Sequence, residues 1–233
     1  MFLRRVFTPA VFLMAFNFTG FAKDILADSV TESKTISAFT VLKIQGNFNV
    51  VLTPGSGCSL KITAVKDFMP AIDVKNSGTA LVISTKPGAV GGATLYIGMK
   101  EIIQININTT GTISCTKEVK TDDLSLTLEG NIEGSLMLNI KMLTLNTNSA
   151  KNIELKGKAK KSNAKLMSEG NVDMSALEVD DLMLDNGCDG DVKIFAHPDL
   201  HVKMSGTGTL TYFGKPRVKV FTVHGEGKVV EGK

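Results

Sequence analysis

The sequence predicts an all-β protein whose main part is a parallel β-helix-like solenoid with coils of about 20 residues. Three observations predict it. A short Gly-x-aliphatic phrase returns along the chain, as in Glu129-Gly130-Asn131-Ile132, Glu169-Gly170-Asn171-Val172 and Asp189-Gly190-Asp191-Val192. Its closing aliphatics stand at Ile113, Ile132, Ile153, Val172, Val192 and Leu210, giving steps of 19, 21, 19, 20 and 18 residues. A period in that range marks a repeat whose copies each cover the apolar face of the one before. Aliphatic residues two apart flank every copy, such as Leu124, Leu126 and Leu128 or Leu136, Leu138 and Ile140, which is the period of a strand with one buried face. Helical spacing is confined to one short stretch, Asp67-Phe68-Met69-Pro70.

Taken in order, residues 1–22 carry Arg4 and Arg5, an apolar run over 6–16, and Gly20-Phe21-Ala22 before Lys23. A charged start, an apolar middle and small residues at the end predict a secretory signal peptide, too short and too interrupted for a membrane span. No Cys lies near the expected cleavage point, so a lipid-anchor signal is not predicted. Residues 23–37 are polar and patternless and are expected to be a flexible lead. Over 38–100 come irregular opening strands: Phe48, Val50 and Leu52 alternate with polar neighbours, and turn clusters at residues 53–57 and 76–78 separate further strands. Regular coils are expected over 101–216 as strands of three to five residues, which isolated hairpins cannot bury. A closing strand is expected over 217–230.

The corner glycines are expected to supply positive φ where a coil turns sharply. Lys151 breaks the pattern, with Asn152 beside it as the next residue type to tolerate that conformation. Six coils stacked at ~4.8 Å would make a rod about 29 Å long. Asn131, Asn152 and Asn171 share the column before the aliphatic, either as a ladder of side chains up the stack or as separate solvated residues.

The order of these motifs resembles the putative auto-transporter adhesin, head GIN domain family of exported bacterial proteins. The resemblance covers about residues 38 to 230. It rests on the opening from Phe39 to Gly55, on Leu155-Lys156-Gly157-Lys158-Ala159, and most of all on residues 205–216, Ser-Gly-Thr-Gly-Thr-Leu-Thr-Tyr-Phe-Gly-Lys-Pro. It implies a right-handed β-helix-like fold in the cell envelope or outside the cell, and it brings no catalytic residues. No membrane-spanning β-barrel is expected after the domain.

Composition narrows the function. Without the signal peptide the chain holds 24 basic and 23 acidic side chains, and Arg217 is its remaining arginine. Such a chain is a poor fit to nucleic acid, which draws on clustered Arg and Lys. Two Tyr and no Trp leave little surface for stacking on sugars or bases. Cys58, Cys115 and Cys188 are an odd number in an exported chain; Cys115 and Cys188 occupy different columns, and small buried residues are the expectation.

His197 and His201 are four apart, but Pro198 interrupts and Leu200-His201-Val202 reads as a strand with His201 outward; no metal site is predicted. Acid pairs fall at Asp122-Asp123 and Asp180-Asp181, with Asp185, Asp189 and Asp191 beyond. β-Helix enzymes acting on polysaccharide group carboxylates on one face, whereas Asp189 and Asp191 also suit a corner that needs backbone acceptors. Lys156, Lys158, Lys160, Lys161 and Lys165 are expected in a bulge between coils, either attracting an anionic polymer or headgroup or simply protecting an edge. Gly206, Gly208, Gly225 and Gly227 lack the helix a phosphate loop needs.

No catalytic, cofactor-binding or metal residues are predicted, and no cofactor. The expected function is an exported, non-enzymatic binding or structural module, adhesin-like, facing surface glycan or an envelope protein. Two alternatives stand beside it: a polysaccharide-acting enzyme using the carboxylates of 180–191, and a scaffold that stacks end to end.

Overall fold

The computed structural model describes residues 28–148 and 150–233; the expected signal peptide lies outside the described residues. Strands follow one another as β1 (Ser29–Lys34), β2 (Val41–Gly46), β3 (Phe48–Pro54), β4 (Ser59–Val65), β5 (Ile72–Ser77), β6 (Ala80–Thr85) and β7 (Ala93–Met99). Then come β8 (Gln104–Thr109), β9 (Thr112–Cys115), β10 (Val119–Glu129), β11 (Glu133–Asn148), β12 (Ile153–Met167) and β13 (Val172–Asn186). The last are β14 (Val192–Met204), β15 (Thr209–Phe213), β16 (Val218–Val223) and β17 (Lys228–Glu231). Among the described residues the one helical element is a 3₁₀ turn at Met69–Ala71, at the place the sequence marked.

The alternation of side chains explains how one strand makes both walls of a coil. In β12, Ile153, Leu155 and Ala159 point inward, then Lys160 and Lys161 both point out, and Ser162, Ala164 and Leu166 resume the inward series. Two consecutive outward residues reset the period of 2, and there the strand bends from a first sheet into a second. Asp122-Asp123, Lys141-Met142 and Asp180-Asp181 occupy the same bend in their coils, paired in register through Asp123, Met142, Lys161 and Asp181. The coils are therefore not strands of three to five residues with loops between them. β11 runs for 16 residues through the bend, and the opposite corner carries the real break.

From Gln104 to Glu231 the chain makes a solenoid of about seven turns, one more than the repeat predicted. The extra turn comes from the C-terminal segment, which holds two strands where one was expected. There β16 pairs with β14 and β17 with β15, each in parallel. The first sheet stacks β7, β3, β9, the N-terminal halves of β11 to β14, β15 and β17; the second stacks β6, β2, β8, β10, the C-terminal halves of β11 to β14, and β16.

The opening strands extend this stack rather than standing apart. β2 and β3 lie between β6–β7 and β8–β9, so the coil that comes first in sequence is second in space. Antiparallel strands close the end: β4 on β7, β1 on β4 and β5 on β6. β1 takes up Ser29–Lys34, within the stretch expected to be a flexible lead, because it finds the free edge of β4. One hydrophobic cluster runs from Phe39 to Tyr212 through both sheets. A fully buried Leu such as Leu145 or Leu155 contributes ~2 kcal/mol by removal from water, which suits a fold made of such rungs.

The corner glycines serve a different purpose from the one expected. Of those in the repeated phrase, Gly130 has positive φ (79°). Gly170 does not; a Cβ there would overlap the carbonyl of Lys151 in the preceding coil. Gly190 and Gly208 repeat that contact on the carbonyls of Gly170 and Gly190. Close backbone approach between coils is thus the main reason for glycine. Lys151 fits because the corner below it is wide: Gly134, not Ile132, pairs with Ile113 and Ile153, and Ile132 turns into the core two residues early.

Candidate functional site

The sequence-flagged residues scatter around the coil. Asp180 and Asp181 sit at the bend, Asp185 faces out from the second sheet, and Asp189 and Asp191 stand at the opposite corner. Asp181 and Asp185 are four residues apart in one strand, about 13 Å of extended chain, against the ~5–9.5 Å of a glycosidase carboxylate pair. The corner acids hold coils together. Asp189 accepts from Thr207 Oγ1 at 2.8 Å, and Asp191 Oδ1 accepts from the backbone N–H of Thr209 at 3.2 Å. Asn171 Oδ1 accepts in the same way from Asp191 N–H at 2.9 Å, and Asn49 Oδ1 from Thr112 N–H at 3.1 Å. The column before the aliphatic therefore links side chain to backbone, not amide to amide, and Glu133 stands in it where Asn131 was expected.

The lysines do not form a bulge between coils. They lie within β12, and acids face most of them. Lys156 pairs with Glu154 (2.9 Å), Lys158 with Glu178 (3.0 Å) and Lys161 with Asp181 (3.4 Å). Lys165 lies on the outer face of the second sheet. At the bend, Lys141 meets Asp122 at 2.7 Å beside a cleft of about 640 Å³. On the outer face of the first sheet, Lys193 and Lys151 approach Asp173 and Glu133 at 4.0 and 3.8 Å. Each of these exposed pairs is worth at most ~1 kcal/mol, but together they leave that wall with most of its charges matched.

His201 is half-buried in the second sheet, while His197 is exposed and hydrogen-bonds the Lys215 carbonyl through Nδ1 at 2.8 Å. Among the described residues no group of three His, Cys, Asp or Glu is placed to hold a metal. Cys58, Cys115 and Cys188 are free; Cys188 is buried, and that burial raises its thiol pKa. Gly206, Gly208 and Gly227 pack against backbone of the preceding turns, so no phosphate cradle forms there.

The feature that sequence reasoning missed is the outer face of the second sheet. Its outward residues align in columns across the coils. One column runs Gln104, Ser125, Thr144, Asn163, then Met183, His201 and Val220. The next runs Lys43, Asn106, Thr127, Asn146, then Lys165, Asp185 and Lys203. A third contains Gln45, Asn108, Glu129 and Asn148. Two clefts of about 370 and 540 Å³ lie along this face, the first about Asn106 and Thr127, the second about Asn146 and His201. Many of its outward side chains are half-buried, as a trough requires.

The amides of this trough are largely free to bond. Asn108 donates to Glu129 at 3.2 Å. Gln45, Gln104, Asn146 and Asn163 make no side-chain hydrogen bond among the described residues, and Asn106 Oδ1 is a buried acceptor without a partner. The signal for this face was present as Gln104-Ile-Asn-Ile-Asn108 and Thr144-Leu-Asn146, but one wall cannot be told from the other until the bends are located.

Residues 38–216 match the model of a family described as putative auto-transporter adhesin, head GIN domain. A putative adhesin from Bacteroides fragilis has the same fold, with a TM-score of 0.77 at 17% identity over 88% of this chain and 98% of that one. A putative adhesin from Parabacteroides merdae superposes at 0.64, with 19% identity over 89% and 98%. A putative lipid binding protein from Parabacteroides distasonis superposes at 0.68, with 15% identity over 89% and 98%. No protein of curated function matches the chain. At these identities the likeness is one of fold.

Proposed function

We propose that this chain, which belongs to the putative auto-transporter adhesin, head GIN domain family, is an exported binding module of the cell envelope, without catalytic activity. Its ligand face is the outer face of the second sheet. The observation that carries this reading is the contrast between its two walls. Acids and lysines of the first wall face one another across coils, whereas on the second Gln45, Gln104, Asn146 and Asn163 make no side-chain hydrogen bond among the described residues, and Asn106 Oδ1 is an acceptor without a donor there. A rigid face with free donors and acceptors binds at low ordering cost. The enzymatic alternative has less support, because Asp189 and Asp191 already accept hydrogen bonds from Thr207 and Thr209 of the next coil, a structural use at the corner.

For end-to-end stacking the two ends differ from a simple open stack, although the last turn exposes Val218, Val220, Phe221, Val223 and Val230. The N-terminal end is closed by antiparallel strands. In the last turn, Lys219 and Glu231 stand in the inward columns above Leu200 and Tyr212, with their charged groups 3.6 Å apart. Inward charges of this kind discourage a further strand from adding.

The test compares Thr127→Arg and Asn146→Arg on the second wall with Ser135→Arg on the first, each checked for folding by circular dichroism. The expected outcome is that only the second-wall variants lose retention on isolated cell-envelope material. Equal retention by all three variants overturns the reading. So does polysaccharide cleavage by the purified protein that disappears when Asp185, Asp189 and Asp191 are replaced together.

A further inference from the structure

We infer that the ligand of this trough is an uncharged, hydroxyl-rich polysaccharide lying along the solenoid axis; this rests on the second wall being the ligand face. Charge decides the class first. From the level of Gln104 to that of Asn146 the two central columns offer Gln104, Asn106, Ser125, Thr127, Thr144 and Asn146, with no ionic side chain among them. Glu129, at the trough's edge, already accepts from Asn108. A phosphorylated or uronate polymer would need unopposed cations along the run; Lys43 and Lys165 stand one rung beyond its two ends, and each shares its cleft with an acid, Glu129 in the first and Asp185 in the second. A protein partner would need apolar or aromatic anchors at the centre of its footprint. The exposed apolar side chains of these columns, Met183 and Val220, lie outside this run, toward the C-terminal end.

What remains complementary is a chain of neutral hydroxyls. A carboxamide presents a donor and an acceptor side by side, the pair that two neighbouring sugar hydroxyls can satisfy together. Asn106 supplies a second, independent sign. Its Oδ1 has no donor among the described residues and is shielded where it lies, so it gains a partner by turning into the trough, where a ligand hydroxyl can donate to it. The rungs recur every ~4.8 Å along the axis, so a polymer laid lengthwise meets a neutral amide or hydroxyl side chain at each of the three rungs, and weak single contacts add up.

The test uses glycan released from cell-envelope material and split by anion exchange into neutral and acidic pools, each applied to the immobilised full chain. The neutral pool should bind, with the same affinity between about 0.05 M and about 0.5 M salt, because no charges take part. Gln104→Ala, Asn106→Ala and Asn146→Ala should each weaken binding about fivefold, the loss of roughly one net hydrogen bond. Retention by the acidic pool alone, or binding that collapses with salt, overturns the ligand class. If Thr127→Arg still abolishes that retention, the face itself stands. Neutral glycan that binds equally well to the three alanine variants overturns the role of the amides. Binding of neither pool, with envelope retention still lost in Thr127→Arg, assigns the trough to a protein partner and refutes the inference.

Discussion

Replacing Gly170 by Ala should separate two explanations of the corner glycines. Its φ is not in the left-handed region, so a side chain meets no conformational penalty there. The new Cβ would instead overlap the carbonyl oxygen, carbonyl carbon and Cα of Lys151, all backbone atoms that no rotamer change can move. The two coils would have to part by roughly an ångström, against a backbone bond from Gly170 N–H to Ala150 O of 3.3 Å. Overpacking of this kind costs about 3 kcal/mol, which in a chain of this size lowers the melting temperature by roughly 6–12 °C. Gly57→Ala is the control, since nothing stands within 4 Å of the Cβ built there and its φ is ordinary. That change should leave stability unchanged or raise it by about 0.5 kcal/mol through the unfolded chain. Thermal melts by circular dichroism compare the two. Equal melting temperatures for G170A and G57A would refute the close-approach argument.

Other outcomes follow from the corners, the last turn and the thiols. Asn171→Ala and Asp191→Ala each remove a side-chain acceptor from a backbone N–H of the next coil; urea unfolding should show a loss of about 1 kcal/mol for each. Lys219 donates to Tyr212 Oη at 3.3 Å, and Tyr212 donates to Glu231 Oε2 at 2.9 Å. The Tyr212 hydroxyl first, and Glu231 after it, hold the Lys219 pKa above the ordinary lysine value of 10.5. A raised lysine adds stability that is complete below its unfolded pKa and is lost as pH rises through the folded one. Melts of the native chain should therefore fall off above pH 10.5 more steeply than those of Lys219→Met. Cys188 is buried with a raised pKa, so a thiol reagent at neutral pH should leave it unlabelled until the chain is unfolded, as mass spectrometry of the labelled peptides would show.

Much of the fold can be read locally. The alternation in Leu124-Ser-Leu-Thr-Leu128 faces three leucines the same way whatever the rest of the chain does, and all three are buried. The charged pairs at 122–123 and 180–181 also carried a local message, two outward residues in succession, which marks a bend. They suggested carboxylate chemistry because sequence inspection weighs residue type before residue direction. The binding trough was illegible for a different reason. Its columns join residues about 20 apart whose spacing varies from coil to coil, and an error of one residue moves a side chain to the other face. The wide corner near Gly134 is such a case, for it displaces Ile132 from the column where a count by phrases puts it.

The sequence by itself determined that the chain is all-β, that it repeats every 18 to 21 residues, and which aliphatics form the core. Those features rest on local periodicity, which acts within a few residues. The tertiary structure decided which outward residues lie over one another: lysines beside acids of the next coil on the first wall, and a run of amides, serines and threonines on the second, ending at Lys165 and Asp185. It also placed the 80–99 coil beneath the coil of β2 and β3, an order that chain position alone does not give. Stacking register belongs to the whole solenoid, since each coil finds its position only on the one already formed beneath it.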